Sequence, residues 1–378
     1  MKILFVQKEG GIFGAENYQL KIIPELIRRG YTIHFLRLYT NYQGGRGGKF
    51  MELLNSFGVK TFEINIGRFL NPMNLFRINQ IIRSEKYDLV HTHLIHADIH
   101  LALVKLLLHR KLKVVSTKHG YDNAFTARHG FNADKQTLTP YFMVSRFAEN
   151  RMTKSFTITN SLRNFFIQTR LTTPGKMSTI HYGFDFTPPD LSWVEDRFRL
   201  FEKQFVIAGR LVRFKGHRFV IEAMPEIIRQ NPDAGLVIVG SGELEAELKA
   251  MVSNLHMNDY VRFVGYSNEV VKWMYNSQVV CVPSISEGFG VVLLEAFNCS
   301  KAVVAFDVPA CNELMEHNKT GLLVEPFDTT ILSQTICNLL GEPEVADKIG
   351  RAANSRLKEY FTLKRMTDQT ELFYKSIA

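Results

Sequence analysis

Apolar residues along the chain fall into short runs separated by longer stretches of mixed character, and the runs form two successive series. Lys2-Ile-Leu-Phe-Val-Gln7 reads as a buried strand ending in a loop, Glu9 to Glu16. A helix pattern then extends to Arg29, where Gly30 supplies a C-cap. Tyr31–Arg37, Asp88–His91, Lys113–Ser116 and Ser155–Thr159 read as further strands with helical stretches between them. The pattern then restarts with a strand at Phe205–Gly209, a helix over Phe219–Gln230 and strands at Gly235–Gly240, Val261–Val264, Val279–Val282 and Ala302–Phe306. Strands alternating with helices predict parallel sheets covered on both faces, here in two α/β domains of similar length. The Pro-rich turn Thr187-Pro-Pro-Asp190 is the expected hinge, dividing residues 1–186 from 187–353. The last segment, 354–378, reads as one helical stretch from about Asn354 to Ser376, expected to cross back to the first domain. Ligands of such sheets bind outside the C-terminal strand ends, so a cleft between the domains is the expected site.

A chain of 378 residues exceeds the usual size of a single core, which agrees with two domains. With 46% hydrophobic and 22% charged residues it has the composition of an ordinary globular protein. No uncharged apolar run of about 18 residues is present to span a bilayer. The opening Met1–Gln7 turns polar too soon for a secretory leader, and the four cysteines lack metal-ligand spacing. A cytoplasmic protein with free thiols is the expectation. The net charge of +9 conceals an asymmetry: residues 1–190 hold 26 Lys+Arg against 13 Asp+Glu, and the rest is slightly acidic. An anionic partner is therefore expected for the first half, either nucleic acid or the face of an anionic membrane. No recognition helix or aromatic-basic sheet motif accompanies the charge, so nucleic acid is not expected. The segment Leu101–Lys113 fits a helix lying on lipid as well as a buried helix with its charges reaching out at one end.

The most informative chemistry lies in Glu287-Gly-Phe-Gly-Val-Val-Leu-Leu-Glu295, directly after an apolar strand. Read as strand, loop and helix, it sets the Gly288–Gly290 turn at a helix N-terminus, where free amides and the helix dipole favour a phosphate. Glu287 and Glu295 repel a phosphate and suit hydroxyl groups to either side of it, such as the ribose and hexose of a nucleotide sugar. The bland alternative is two solvated acids. Arg210 and Lys215, in Gly209-Arg-Leu-Val-Arg-Phe-Lys-Gly216, follow a strand and suit a diphosphate, taking the place of a divalent metal; solvated loop cations are the alternative. Gly240-Ser-Gly242 fits a nucleotide loop or a plain strand-to-helix turn. Gly10, Gly11 and Gly14 permit close backbone approach to a ligand, or tight helix packing. Glu16 is either a ligand contact or a favourable first-turn acid. His91-Thr-His-Leu-Ile-His96 and His100 lack the carboxylate spacing of a zinc site, and no metal is expected there. Lys118-His119-Gly120 is placed in a loop just past a strand end, where a neutral His119 would hydrogen-bond a sugar hydroxyl or simply be satisfied locally.

The ordered set of motifs resembles the retaining nucleotide-sugar transferases of glycosyltransferase family 4, over nearly the whole length. The matching segments are Gly-Gly-x-x-Gly-Ala-Glu at 10–16, His-Thr-His at 91–93, Lys-His-Gly at 118–120 and His-Tyr-Gly-Phe-Asp at 181–185. They continue with Gly-Arg-Leu-x-x-x-Lys-Gly at 209–216, Gly-Ser-Gly at 240–242, Glu-Gly-Phe-Gly-x-x-x-x-Glu at 287–295 and Thr-Gly-Leu-Leu-Val at 320–324. The resemblance implies the GT-B fold of two facing Rossmann-like domains, with the acceptor on the basic first domain and the donor nucleotide on the second. It implies that Arg210 and Lys215 hold the diphosphate, Glu295 the ribose, Glu287 the hexose, and that His119 contacts the transferred sugar. Gly288, Phe289, Gly290, Val291 and Gly242 would line the donor, with Gly11, Gly14 and Glu16 at the donor–acceptor junction. Neither cofactor nor metal is implied. Ala310-Cys-Asn-Glu313 departs from the glycine-rich turn of many relatives. The implied reaction moves a hexose or N-acetylhexosamine from a nucleoside-diphosphate sugar, UDP-sugar being the expectation, to a glycan hydroxyl with retention. The histidine segment and the basic half point to a lipid-linked acceptor of cell-surface polysaccharide or lipopolysaccharide synthesis, at the cytoplasmic face of the inner membrane. The alternatives are a soluble small-molecule acceptor and a nucleotide-sugar epimerase or phosphorylase.

Overall fold

The computed structural model describes residues 1–8, 11–12, 14–40, 48–67, 71–185 and 194–377, apart from the side chains of Asn123 and Ala127. The expected hinge at Thr187–Asp190, together with Gly10, lies outside the described residues. Two compact units emerge. One comprises Met1–Asn123, Asn132–Gly183 and Leu363–Ala378; the other comprises Ala124–Phe131 and Phe184–Thr362.

The first unit is built on a seven-stranded sheet of β1 (Lys2–Lys8), β2 (Thr32–Tyr39), β3 (Lys60–Asn65), β4 (Leu89–His93), β5 (Val114–Lys118), β6 (Lys154–Thr157) and β7 (Met177–Thr179), in the order β3-β2-β1-β4-β5-β6-β7. Every pairing is parallel. Successive side chains of a strand point to opposite faces, and that alternation distributes the chemistry. Leu4, Val6, Val90 and Val114 face a core shared with helices Pro72–Glu85, Leu94–Leu107 and Pro140–Arg151. The register sets Phe5 beside His91, Gln7 beside His93 and His93 beside Thr117, all on the opposite face.

The second unit carries β8 (Lys203–Ala208), β9 (Ala234–Val239), β10 (Val261–Gly265), β11 (Val279–Val282), β12 (Ala302–Phe306) and β13 (Leu322–Val324), in the order β10-β9-β8-β11-β12-β13. All are parallel, and β9, β11 and β12 are buried along their whole length, as strands covered on both faces must be. In both units the strand order reverses once, between β1 and β4 and between β8 and β11. In open α/β sheets that reversal opens a crevice at the C-terminal strand ends.

The C-terminal stretch is not one helix. Pro343–Tyr360 belongs to the second unit and Leu363–Lys375 to the first. The break falls at Phe361 and Thr362, where Phe361 is buried and its carbonyl accepts the amide of Phe184. Leu363–Lys375 packs against the helix Gly14–Arg28, with Arg29 Nη1 placed 2.7 Å from Asp368 and 3.0 Å from Glu371.

Candidate active site

In the second unit the loops leaving β8, β9 and β11 interlock through their backbones. The amide of Ile285 donates to the Phe214 carbonyl at 2.8 Å, and that of Leu211 to Ser241 at 3.0 Å. Glycine is required where they touch. A Cβ on Gly216, at φ +73°, would lie 1.8 Å from the Pro283 carbonyl oxygen, and one on Gly242 would lie 2.5 Å from that of Leu211. Gly242 therefore serves the approach of two loops.

That packing brings the expected residues of β8 and β11 together. Lys215 Nζ donates to Glu287 Oε1 at 2.6 Å, and Ser284 Oγ donates to the same oxygen at 2.7 Å. Glu287 is buried, Lys215 less so, and Arg210 is exposed with its guanidinium 5.8 Å from the Phe214 ring centre. Helix Val291–Asn298 starts after Gly290, which sits in the left-handed region at φ +85°, and no side chain caps it. Its leading amides are thus left for a ligand beside the lysine. Glu295 is half-buried within this helix. Phe289 turns inward, its ring buried and 6.3 Å from that of Phe361, so any ligand contact at this position falls to its backbone. His217, at the start of the helix after Gly216, is held neutral: burial, then the charge of Lys215, lowers its pKa to about 4.

In the first unit, Lys118 corrects the sequence reading. It is the last residue of β5 and not part of the loop. Its side chain is buried against the helices Leu94–Leu107 and Pro140–Arg151, where Nζ lies 2.6 Å from Asp98 Oδ2 and 3.2 Å from Glu149 Oε2. Ser116 and Thr92 donate to the other oxygen of Asp98, and Ser155 and Thr172 to Glu149. This buried triad anchors the end of β5, and His119 follows directly. His119 Nε2 lies 2.9 Å from His93 Nδ1, the two rings stacked with centroids 5.2 Å apart, and the edge of Tyr18 closes one side. Burial lowers His119 to about 3; burial and then the neighbouring His119 do the same for His91. His93 is pushed well below its ordinary value, again by burial first. All three imidazoles are neutral at physiological pH.

Gly11 has φ +132°, whereas a Cβ on Gly14, the first residue of its helix, would meet nothing within 4 Å. Glu16 is buried and accepts a hydrogen bond from Gln7 at the end of β1. Among the described residues no group of three His, Cys, Asp or Glu is placed to hold a metal. Sequence reasoning missed Gln7, Ser284, Asp98, Glu149 and Tyr374. Thr92 in β4 and Ser116 and Lys118 at alternate positions of β5, polar residues in strands buried along their length, are the signal that would have found the triad.

Two families match the chain in succession. Glycosyltransferase Family 4 covers residues 12–187 and Glycosyl transferases group 1 covers residues 195–356. The N-acetyl-alpha-D-glucosaminyl L-malate synthase of Bacillus anthracis is 25% identical over 97% of this chain and 93% of its own. The UDP-Gal:alpha-D-GlcNAc-diphosphoundecaprenol alpha-1,3-galactosyltransferase of Escherichia coli is 26% identical over 85% of this chain and 84% of its own. Among solved structures, HepE of Anabaena in complex with UDP superposes over 100% of both chains with a TM-score of 0.82 at 21% identity.

Proposed function

Since the chain belongs to glycosyltransferase family 4 and is a transferase of the GT-B fold, we propose that it moves a hexose or N-acetylhexosamine from a UDP-sugar to a hydroxyl of a glycan acceptor, with retention and without a metal. The observation that carries this reading is the Lys215–Glu287 pair beside the uncapped helix start at Gly290, at the strand reversal of the second unit. Lys215 and Arg210 neutralise the diphosphate as the bond from the anomeric carbon to its oxygen breaks. Glu287, held by Ser284 and Lys215, accepts from hexose hydroxyls, and Glu295 from the ribose. The acceptor oxygen bonds to the anomeric carbon on the face the diphosphate leaves, and the acceptor proton departs on a diphosphate oxygen.

A lipid-linked acceptor is supported by the E. coli relative, whose name specifies a diphosphoundecaprenol substrate. The surface of the first unit agrees with it. Met73 and Phe76 on one helix, and Leu106 and Leu107 on its neighbour, are exposed in the basic half of the chain. Among the described residues no helix is long and apolar enough to cross a membrane, so the contact proposed is peripheral. A second reading, an anionic small-molecule acceptor drawn to the same basic half, is favoured by the B. anthracis relative, named for an L-malate product. Binding to anionic vesicles that weakens with salt separates the two.

The test of the donor site is binding and hydrolysis across a panel of nucleotide sugars in EDTA, with Glu295→Ala and Lys215→Ala alongside. One donor bound by the wild type and lost by both variants is the expected result. Wild-type binding by the variants, or no donor bound at all, overturns the reading.

A further inference from the structure

The hydrogen bond between His93 and His119 joins two neutral imidazoles, so only one of the facing nitrogens carries a proton. Two arrangements are available. In the first, His119 Nε2–H donates to His93 Nδ1, and the single proton of His93 must then sit on Nε2. In the second, His93 Nδ1–H donates to His119 Nε2, and the single proton of His119 sits on Nδ1. The surroundings of His93 decide between them. His93 is fully buried, and its Nε2 has no hydrogen-bond partner among the described residues. Its ring is packed by Phe5 at 5.5 Å, Tyr18 at 5.9 Å and His91 at 4.4 Å. His91 offers it nothing, because its own nitrogens are engaged by Tyr374 Oη and Thr117 Oγ1, each at 2.7 Å. The first arrangement would bury an N–H donor with no acceptor, a state that folded proteins almost never tolerate. The second leaves only a bare lone pair against aromatic rings.

We propose that His93 is a positioning residue that fixes the tautomer of His119, so that His119 presents Nδ1–H to its ligand as a neutral hydrogen-bond donor. His119 is half-buried, and its Nδ1 makes no hydrogen bond among the described residues. Carrying a proton, it donates to an oxygen of its ligand and takes no proton from it. That assignment rests on the functional reading above and sharpens it, because it removes His119 as a destination for the acceptor proton, in keeping with a proton that departs on the diphosphate. The backbone supports the placement. Leu94, immediately after His93, adopts the left-handed conformation at φ +67°, which turns the chain from strand to helix without a loop and holds His93 at the strand end. Burial, which keeps both rings neutral, works in the same direction.

The experiment is a long-range proton–nitrogen correlation spectrum of the full chain labelled with 15N-histidine at pH 7, with His119 assigned by the signal lost in His119→Gln. The expected signature is a neutral His119 protonated on Nδ1. A His119 protonated on Nε2, or an imidazolium, overturns the proposal. Two variants read the link to His93. His93→Leu removes the donor, and His119 is expected to lose its single-tautomer signature and kcat to fall about tenfold. His93→Asn keeps an N–H near the Nδ1 position and is expected to restore both in large part. If His93→Leu leaves the His119 signature and kcat unchanged, His93 has no positioning role. Should His93→Leu fail to fold, the wild-type spectrum and the His93→Asn variant still decide. The spectrum needs no substrate, so a chain that binds no nucleotide sugar but shows the Nδ1–H signature fails the functional reading alone.

Discussion

The two strand reversals share one topology and use it in opposite ways. At β8 and β11 the loops are held by backbone: Gly216 against Pro283, Gly242 against Leu211, and Gly240, whose Cβ would lie 1.9 Å from the carbonyl oxygen of Gly209. The side chains presented there are charged, Lys215 and Glu287 in contact with Arg210 close in sequence. At β1, β4 and the neighbouring β5 the holding is done by side chains: Gln7 with Glu16, Lys118 with Asp98 and Glu149, His93 with His119. What is presented is a neutral imidazole. A diphosphate calls for cations and amides that glycines bring close. A neutral imidazole of fixed direction suits a hydroxyl without adding charge, and buried side chains supply that direction. On the proposed reading, the same fold makes a diphosphate site by removing Cβ atoms and aims a neutral imidazole by packing rings.

The lysines separate the two regions most sharply. Lys118→Met leaves the buried carboxylates of Asp98 and Glu149 without a counter-charge, and a loss of about 3–5 kcal/mol is expected in urea unfolding of the first unit. Lys215→Met leaves Glu287 its bond from Ser284, so stability should fall much less while kcat/KM drops about 10²–10³-fold. Equal stability losses in the two variants would erase the distinction. Next in size is the contrast between glycines. Gly216→Ala meets both a left-handed backbone and the Pro283 carbonyl and should cost about 2–3 kcal/mol. Gly14→Ala, with open space around it, should melt within about 1 kcal/mol of the wild type.

Legibility from sequence follows the same physics. The central strands announce themselves because burial on both faces writes a continuous apolar run, as in Val279–Val282. The edge strands β3, β7 and β13 were not anticipated: β7 and β13 have three residues each, and all three are partly exposed, so neither run nor clear alternation marks them. The break at Phe361 was equally invisible, since no glycine or proline stands there; burial of its ring and its bond to Phe184 create it. Within the site, Glu287, Arg210 and Lys215 are legible as residue types just past strand ends, and Glu295 as an acid inside the helix that follows. That Lys215 touches Glu287, 72 positions away, depends on β8 lying beside β11. Lys118 was misplaced in a loop because a charged residue ending a strand looks like solvent-facing sequence until Asp98 and Glu149 are folded over it.

The histidines give the subtlest contrast, one of acid sensitivity. His91, His93 and His119 titrate near 6.5 in an unfolded chain, whereas burial holds His91 and His119 at about 3 and His93 well below its usual value. The unfolded chain therefore binds more protons than the folded one once the pH falls below 6.5. Stability from these neutral rings is fully present above 6.5 and is lost as the pH drops toward the folded values. Each ring contributes up to about 1.4 kcal/mol of destabilisation per pH unit in that window. The second unit has one such ring, His217, held near 4. Melting followed from pH 7 to pH 4 should therefore show the first unit failing first, with His91→Gln flattening its slope. A first unit no more acid-sensitive than the second would mean that the imidazoles are hydrated in solution. The packing of Phe5, Tyr18 and Tyr374 around them would then not exclude water, and the histidine region would lose the dryness that sets it apart from the loops around Lys215 and Glu287.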